Sequence, residues 1–302
     1  MTVGNISSKK KETALSFITA FLILILLCCS RRVSAGIYSG TLFAAKCLIP
    51  TLFPFFIISD MIFSFGLPFS KRLKNRGNYV IIIGVICGFP HGARCATKLL
   101  EDGKIDAREY ERLIVLSNSP SLAFIVSGIG AGMLGSSLYG LILYIVLLCS
   151  VATLSLFYRS GQSTICISDD TRNTSFSLID SIKRAGISSI TVASFVIFFH
   201  GVCALISEFV SNEAVSLIIS SILEIASGAS RVASNASLGA TSKMFLLGFI
   251  VGFSSISTFM QTLAFVTGDV NKRRLFAFKI VQGLLCAIYA LILTIIYKKW
   301  LL

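Results

Sequence analysis

Along the chain, apolar residues come in long runs and polar residues collect in short stretches between them. Residues 14–30 predict a first membrane helix, opened by Lys9, Lys10 and Lys11. Residues 34–48 are less apolar, carry Lys46, and predict a short or interfacial helix. Residues 49–67 predict a membrane helix with Pro50 and Pro54 near its start and Asp60 within it. An interrupted apolar segment begins at Tyr79. It leads through the charged link "LLEDGKIDAREYERL" to a second interrupted run, "IVLSNSPSLAFIVSGIGAGMLG". Residues 136–158 predict an unbroken helix, and 159–181 form the one extended polar loop. Beyond the loop, 187–210 predict a long helix containing His200. A shorter segment, "NEAVSLIISSILEIASGASRVAS", holds Glu224, and "MFLLGFIVGFSSISTFMQTLAFV" and residues 275–297 complete the series.

The sum is about eight or nine apolar segments, several of them interrupted or half-length. The fold class is therefore all-α, a polytopic membrane protein, because hydrocarbon tolerates only backbone that satisfies its own hydrogen bonds. The loop suggests four regions: 1–35, a basic segment with the first membrane helix; 36–158, a first membrane half; 159–181, the polar loop; and 182–302, a second membrane half. Composition agrees. Of 302 residues 55% are hydrophobic and 14% charged, against about 25% charged in soluble domains, and mean hydropathy is +0.85.

The net charge of +13 would point to nucleic acid in a soluble protein. Here the basic residues sit in runs at helix ends, such as Lys71-Arg72, Lys272-Arg273-Arg274 and Lys298-Lys299. That placement points to the lipid bilayer as partner, with helix ends anchored by the positive-inside bias, and to no nucleic acid. Lys9–Lys11 and the run 71–76 agree on one orientation, while Arg31-Arg32 argues mildly against it. The first run is read as an uncleaved helix, since Arg31 and Arg32 interrupt the approach to any cleavage site. Nine scattered cysteines, without metal-type spacing, imply no disulfide framework, no metal and no cofactor.

The two halves echo each other. "IGVICGFP" (83–90) and "LGFIVGFS" (247–254) share the pattern apolar-Gly-x-x-x-Gly-Phe-Pro/Ser, so that Gly84 and Gly88 correspond to Gly248 and Gly252. "PFFIISDMI" at Pro54 resembles "SFVIFFHGV" at Ser194. Paired interruptions in an internal repeat are the sequence pointer to a midplane transporter site. Helix packing is the plainer use of Gly-x-x-x-Gly, and it serves Gly248 and Gly252 well.

Packing accounts less well for "CGFPHGAR". Pro90 removes a backbone donor, and the chain restarts with His91, Gly92 and Arg94 at the N-terminal end of a half-helix, where free N–H groups favour anions or polar ligands. Ionisable residues at membrane depth are costly and point to function, although Arg94 and Lys98 could instead reach an interface. Asn118-Ser119-Pro120-Ser121 is a second polar interruption, able to bind a polar solute or merely to satisfy freed backbone. Glu224 is readable as a proton or cation site, or as the ion-pair partner of Arg94 or Arg231. Ser257 and Gln261 lie just downstream of the second Gly-Phe element, where a mirrored half-site would fall. Asp60 and His200 each stand alone among apolar neighbours, and a lone membrane His is more often a helix-packing group than a ligand. No nucleophile or acid–base constellation suggests an enzyme.

Residues 84–135, "GVICGFPHGARCATKLLEDGKIDAREYERLIVLSNSPSLAFIVSGIGAGMLG", resemble the nucleoside-recognition or Gate domain, in the form carried by the YlbJ-type sporulation integral membrane proteins of endospore-forming bacteria. Gly88, Phe89, Pro90, Gly92, Ala93, Arg94, Gly103, Ile105, Glu109, Arg112, Asn118, Gly128, Gly130, Gly132 and Gly135 carry the likeness. "TLFPFF" (51–56), "LEIASGAS" (223–230) and residues 257–261 extend it. Two places differ. Ser117-Asn118-Ser119-Pro120-Ser121 replaces an Asn-Asn-Ser-Gly-Pro break, and Phe259 stands where the family has His. The resemblance implies a role in spore formation, in the mother-cell or forespore membrane, and kinship with nucleoside transporters. Two functions follow. One is a permease-like protein for a small polar solute with its site at the broken helices. The other is a non-transporting scaffold for spore cortex or envelope development, working with other sporulation membrane proteins or as a homo-oligomer.

Overall fold

The computed structural model describes residues 27–65, 77–158, 177–268 and 270–301, with Ser16 and Leu24. Most of the first apolar run, the basic run 71–76 and residues 159–176 of the polar loop lie outside the described residues. Among the described residues every regular element is helical.

Helix α1 (Ser30–Phe43) passes through a widened π turn (Ala44–Leu48) into α2 (Ile49–Phe65). The segment at 34–48 is thus continuous with its neighbours rather than separate. Pro50 and Pro54 cannot donate to the preceding turn, and the chain bends by 45° between Ser30–Leu48 and Leu52–Ile58. Helix α3 (Asn78–Cys87) stops at Gly88, and α4 (His91–Glu101) begins after Pro90. Helix α5 (Ala107–Ser117) opens with the Asp106 carboxylate accepting the Glu109 N–H at 2.7 Å. It ends at Asn118, and a π segment, Phe124–Met133, follows. Helix α6 (Ser137–Phe157) is unbroken and apolar, as its sequence predicts.

Helix α7 (Leu178–Phe209) starts inside the polar loop, nine residues before the predicted helix, because Ser177 caps it by accepting the Asp180 N–H. A short pair follows: α8 (Glu213–Leu223), capped by Asn212, and α9 (Ile225–Ser234), capped by Glu224. They fold back on each other, with Arg231 donating to Ser216 and Ser220. Helix α10 (Ala240–Phe253) is interrupted at Ser254 and resumes as α11 (Ser255–Leu263), and α12 (Lys272–Leu301) closes the chain.

Four of these helices are long and apolar enough to cross a membrane: Ser137–Phe157, Leu178–Phe209, Ala240–Leu263 and Lys272–Ile296. The bent α1–α2 pair raises the number to five. Around the core, α6, α7 and α12 turn Leu141, Ile145, Ile190, Phe198, Leu284, Ile288 and Ile292 outward, which is the face a bilayer covers. Inside, α10 lies along α12, and Gly252 approaches so closely that a Cβ there would sit 2.6 Å from the Gln282 carbonyl. Gly248 presses on Cys286 in the same way. Both belong to the helix-packing use of Gly-x-x-x-Gly, and the break comes two residues later, at Ser254 and Ser255, whose φ angles are +69° and +74°.

Candidate functional site

Four interruptions, two from each half, meet inside the molecule. The first is Gly88-Phe89-Pro90. Gly88 has φ +83° and lies against Ser121, where any side chain would collide with the Ser121 backbone. Gly84 and Gly92, one on each arm of the α3–α4 pair, both press on Ser117. The first break is therefore seated on the second, which runs from Asn118 to Ser121, and the Phe89 N–H donates to the Ser119 carbonyl at 2.7 Å. The third break is Glu224, at the tip between α8 and α9. The fourth is Ser254–Ser255, from which α11 carries Ser257, Thr258 and Gln261.

Phe89, Ser121, Glu224, Thr258 and Gln261 from these breaks line one cavity with about 30 Å³ of free space, closed by Phe43, Phe124, Leu48, Leu52 and α7. It is narrow, with room for water-sized groups. Its polar lining is held from behind. Glu224 has no exposed surface, and its Oε2 accepts the Ser227 N–H at 2.6 Å. Gln261 donates to Ser257 Oγ at 3.1 Å, and Ser121 Oγ accepts the Phe124 N–H at 3.1 Å. Glu224 Oε1 and Gln261 Oε1 are buried without hydrogen-bond partners.

The sequence-selected residues divide into those that line this cavity and those that hold its walls. Ser121, Glu224 and Gln261 line it, with Ser257 behind Gln261. Pro90, His91, Gly92 and Arg94 stand behind the first break. The His91 ring stacks on Phe56 with centroids 3.9 Å apart, and its Nε2 is buried without a partner. Arg94 pairs with Asp60 at 3.0 Å and lies 5.6 Å over the Phe56 ring. Asp60 also accepts from Arg184 at 3.0 Å, so it joins α2, α4 and α7 and is not alone. His200 is not alone either: its Nδ1 lies 3.6 Å from Glu224 Oε2 and 2.9 Å from the Val196 carbonyl. Glu224 thus faces His200 rather than Arg94 or Arg231, whose guanidinium is taken up by Ser216 and Ser220. Asn118 and Ser119 anchor the second break. Asn118 Oδ1 accepts from Thr262 at 2.8 Å, and its carbonyl accepts from Lys279 Nζ at 2.6 Å.

Lys279 escaped the sequence reading. It is 2% exposed, sits mid-helix in α12, and also donates to Gln282 Oε1 at 2.6 Å. A lone Lys in the last apolar run was the available signal. Thr258 and Thr262 were missed as well, since hydroxyls in apolar helices usually bond their own backbone.

Beside the cavity lies an open, serine-rich crevice of about 370 Å³, lined by Ser39, Ser207, Ser227, Ser230, Arg231 and His200. Phe43 borders both spaces. Its ring stacks on His200 with centroids 6.0 Å apart and meets Phe124 edge-on at 6.3 Å. His200 borders the open side and Glu224 the closed side. Among the described residues no group of three or more His, Cys, Asp or Glu could hold a metal ion.

No family profile matches the chain, and no solved structure matches it. Among curated proteins it is similar to the sporulation integral membrane protein YlbJ of Bacillus subtilis (strain 168). The two are 22% identical over an alignment of 309 positions, covering 84% of this chain and 76% of the relative. The alignment reaches well beyond the Gly84–Gly135 block into both membrane halves. On that likeness, and on its apolar helices, the chain is a multi-pass integral membrane protein similar to YlbJ.

Proposed function

We propose that the protein binds, and passes across the membrane, a small polar solute during endospore formation. The observation that carries this reading is the meeting of four helix breaks on one buried cavity with unpartnered polar atoms. Broken backbone at membrane depth persists only where protein buries it or a water-filled cavity receives it, and half-helix ends at such a cavity are the usual makings of a solute site. The serine-lined crevice supplies a polar approach, and the Phe43 ring stands between crevice and cavity. The sporulation role is carried over from the relative's name.

The repeat belongs to the same reading. Each half has a folded-back helix pair followed by a broken apolar segment: α3–α4 before the Asn118–Ser121 break, and α8–α9 before the Ser254 break. This pairs the Gly88 tip with the Glu224 tip, a different correspondence from that of Gly84 and Gly88 with Gly248 and Gly252. The eight or nine segments would then include short helices that enter the membrane without crossing it, such as Asn78–Cys87, Phe124–Met133 and Glu213–Leu223.

The test is complementation of spore formation in a host that lacks its own copy of the gene. Glu224→Gln and Gln261→Ala should each lower the yield of heat-resistant spores at least tenfold while membrane abundance stays normal. Ile190→Ala, on the outward face of α7, should leave the yield unchanged. Normal spores from both cavity variants would sink the solute site and favour the scaffold.

A further inference from the structure

We propose that the ligand of this cavity is a hydrogen-bond donor without negative charge, such as an amine, amide or hydroxyl group, and that Glu224 Oε1 selects it. The inference rests on the solute-binding reading above. The two carboxylate oxygens of Glu224 have separate surroundings. Oε2 takes the Ser227 N–H at 2.6 Å and faces His200 Nδ1 at 3.6 Å. Oε1 has no hydrogen-bond partner, although the residue is 0% exposed. A carboxylate oxygen can only accept, and buried acceptors are nearly always paired.

Capping alone does not account for this residue. The caps of α5 and α8 are Asp106 and Asn212, each using one short side chain with one bonded oxygen. Asp, Asn and Ser are the preferred caps, and a longer Glu carries a second oxygen into the interior. That second oxygen belongs to a residue on the cavity wall.

The neighbouring polar groups adapt to a donor rather than demand an anion. Gln261, also on the wall, leaves one end of its amide unpartnered, and an amide can turn end for end to offer either N–H or C=O. The Ser121 hydroxyl accepts from Phe124 and keeps its own proton to donate. Among the described residues no cation lines the cavity: Arg94 is engaged by Asp60, and Lys279 by the Asn118 carbonyl and Gln282. An anion would therefore meet the Glu224 carboxylate in a poorly solvated space with no countercharge on the wall, whereas a donor would complete its bonding. The other walls are apolar and include Phe43, Phe89 and Phe124, against which the hydrocarbon part of a ligand would lie once its donor group reached Glu224.

The experiment measures thermal unfolding of the full chain in detergent against three probes of one skeleton: propylammonium, propionamide and propionate. Wild type, Glu224→Gln and Gln261→Ala are run together; the second variant leaves the α9 cap intact should the first fold poorly. The expected result is a concentration-dependent rise in Tm with propylammonium or propionamide and none with propionate. The propylammonium response should need at least tenfold more probe in Glu224→Gln, and both responses should weaken in Gln261→Ala. If propionate stabilises the wild type as well as propylammonium does, the site stands and the donor class falls. If no probe shifts Tm, or if the shifts are unchanged in both variants, the cavity is not a binding site and the proposed function falls with it.

Discussion

At Gly84 a hydrogen is required because the Ser117 backbone, not a movable side chain, occupies the space where a Cβ would go. Alanine gains up to about 1 kcal/mol over glycine in a helix, but overpacking a filled contact costs about 1–3 kcal/mol. Since the Ser117 carbonyl belongs to the last turn of α5 and cannot withdraw, the cost wins. Gly84→Ala should lower stability by about 1–2 kcal/mol, read as a fall in Tm. Gly186→Ala on α7 is the counterpart: nothing lies within 4 Å of its built Cβ, so it should raise stability by about 0.5–1 kcal/mol. Equal responses at the two sites would mean that α3 does not seat on α5 as described. The sequence marked Gly84 and Gly88 as special but could not name Ser117 and Ser121 as the reason, because each contact joins residues 33 positions apart.

Among the elements, the breaks are the parts most in need of outside support, since a helix end leaves carbonyls without intrahelical partners. For the second break that support comes from the other half of the chain: Thr262 on α11 donates to the Asn118 side chain, and Lys279 on α12 to its carbonyl. Removing the donor strands two buried acceptors, the Asn118 carbonyl and Gln282 Oε1, at about 1–3 kcal/mol each. Lys279→Met should therefore destabilise the protein by at least about 1–3 kcal/mol, and Lys279→Met with Gln282→Leu should recover part of the loss. A Lys279→Met protein as stable as wild type would show that the ammonium does not hold the break. The break positions themselves were legible. Gly88-Phe89-Pro90 and Asn118–Ser121 interrupt the helices where the sequence predicts, because Gly, Pro and clustered small polar residues act locally. The Ser254 break was displaced from the Gly-Phe signal, since Gly248 and Gly252 turned out to serve α12.

For the molecule as a whole, the question is what keeps the two halves in register around the cavity. Away from the cavity, Tyr110 on α5 donates to the Thr267 carbonyl at 2.9 Å and receives the Thr267 N–H at 3.1 Å. Thr97 Oγ1 donates to the Phe265 carbonyl at 2.9 Å and lies 2.8 Å from the Tyr110 hydroxyl. One phenol thus clamps the first half to the chain leaving α11. Tyr110→Phe keeps the ring and its packing but removes both bonds to Thr267, which is exposed enough for water to replace them, for an expected loss of about 0.5–1.5 kcal/mol. Because α11 also carries Gln261, the propylammonium response of the cavity should weaken with it. If Tyr110→Phe unfolds at the wild-type temperature with an unchanged response, the halves are held elsewhere.

What the sequence determined alone is the class of the molecule, the order of its helices and most of their interruptions. These follow from apolar run length, from the backbone geometry of Gly and Pro, and from the cost of polar groups in hydrocarbon, all of which act within a few residues. It also marked Ser121, Glu224 and Gln261 among the candidates for one site at the broken helices, but not which of the candidates share a cavity wall. The partnerships were decided by the tertiary structure: Arg94 with Asp60, Glu224 with His200, Asn118 with Lys279 and Thr262. Each joins residues 24 to 161 positions apart, and local pattern carries no information about which distant group arrives. Only the packing of all four breaks on one another turns scattered polar residues into a cavity with one carboxylate oxygen left to bond.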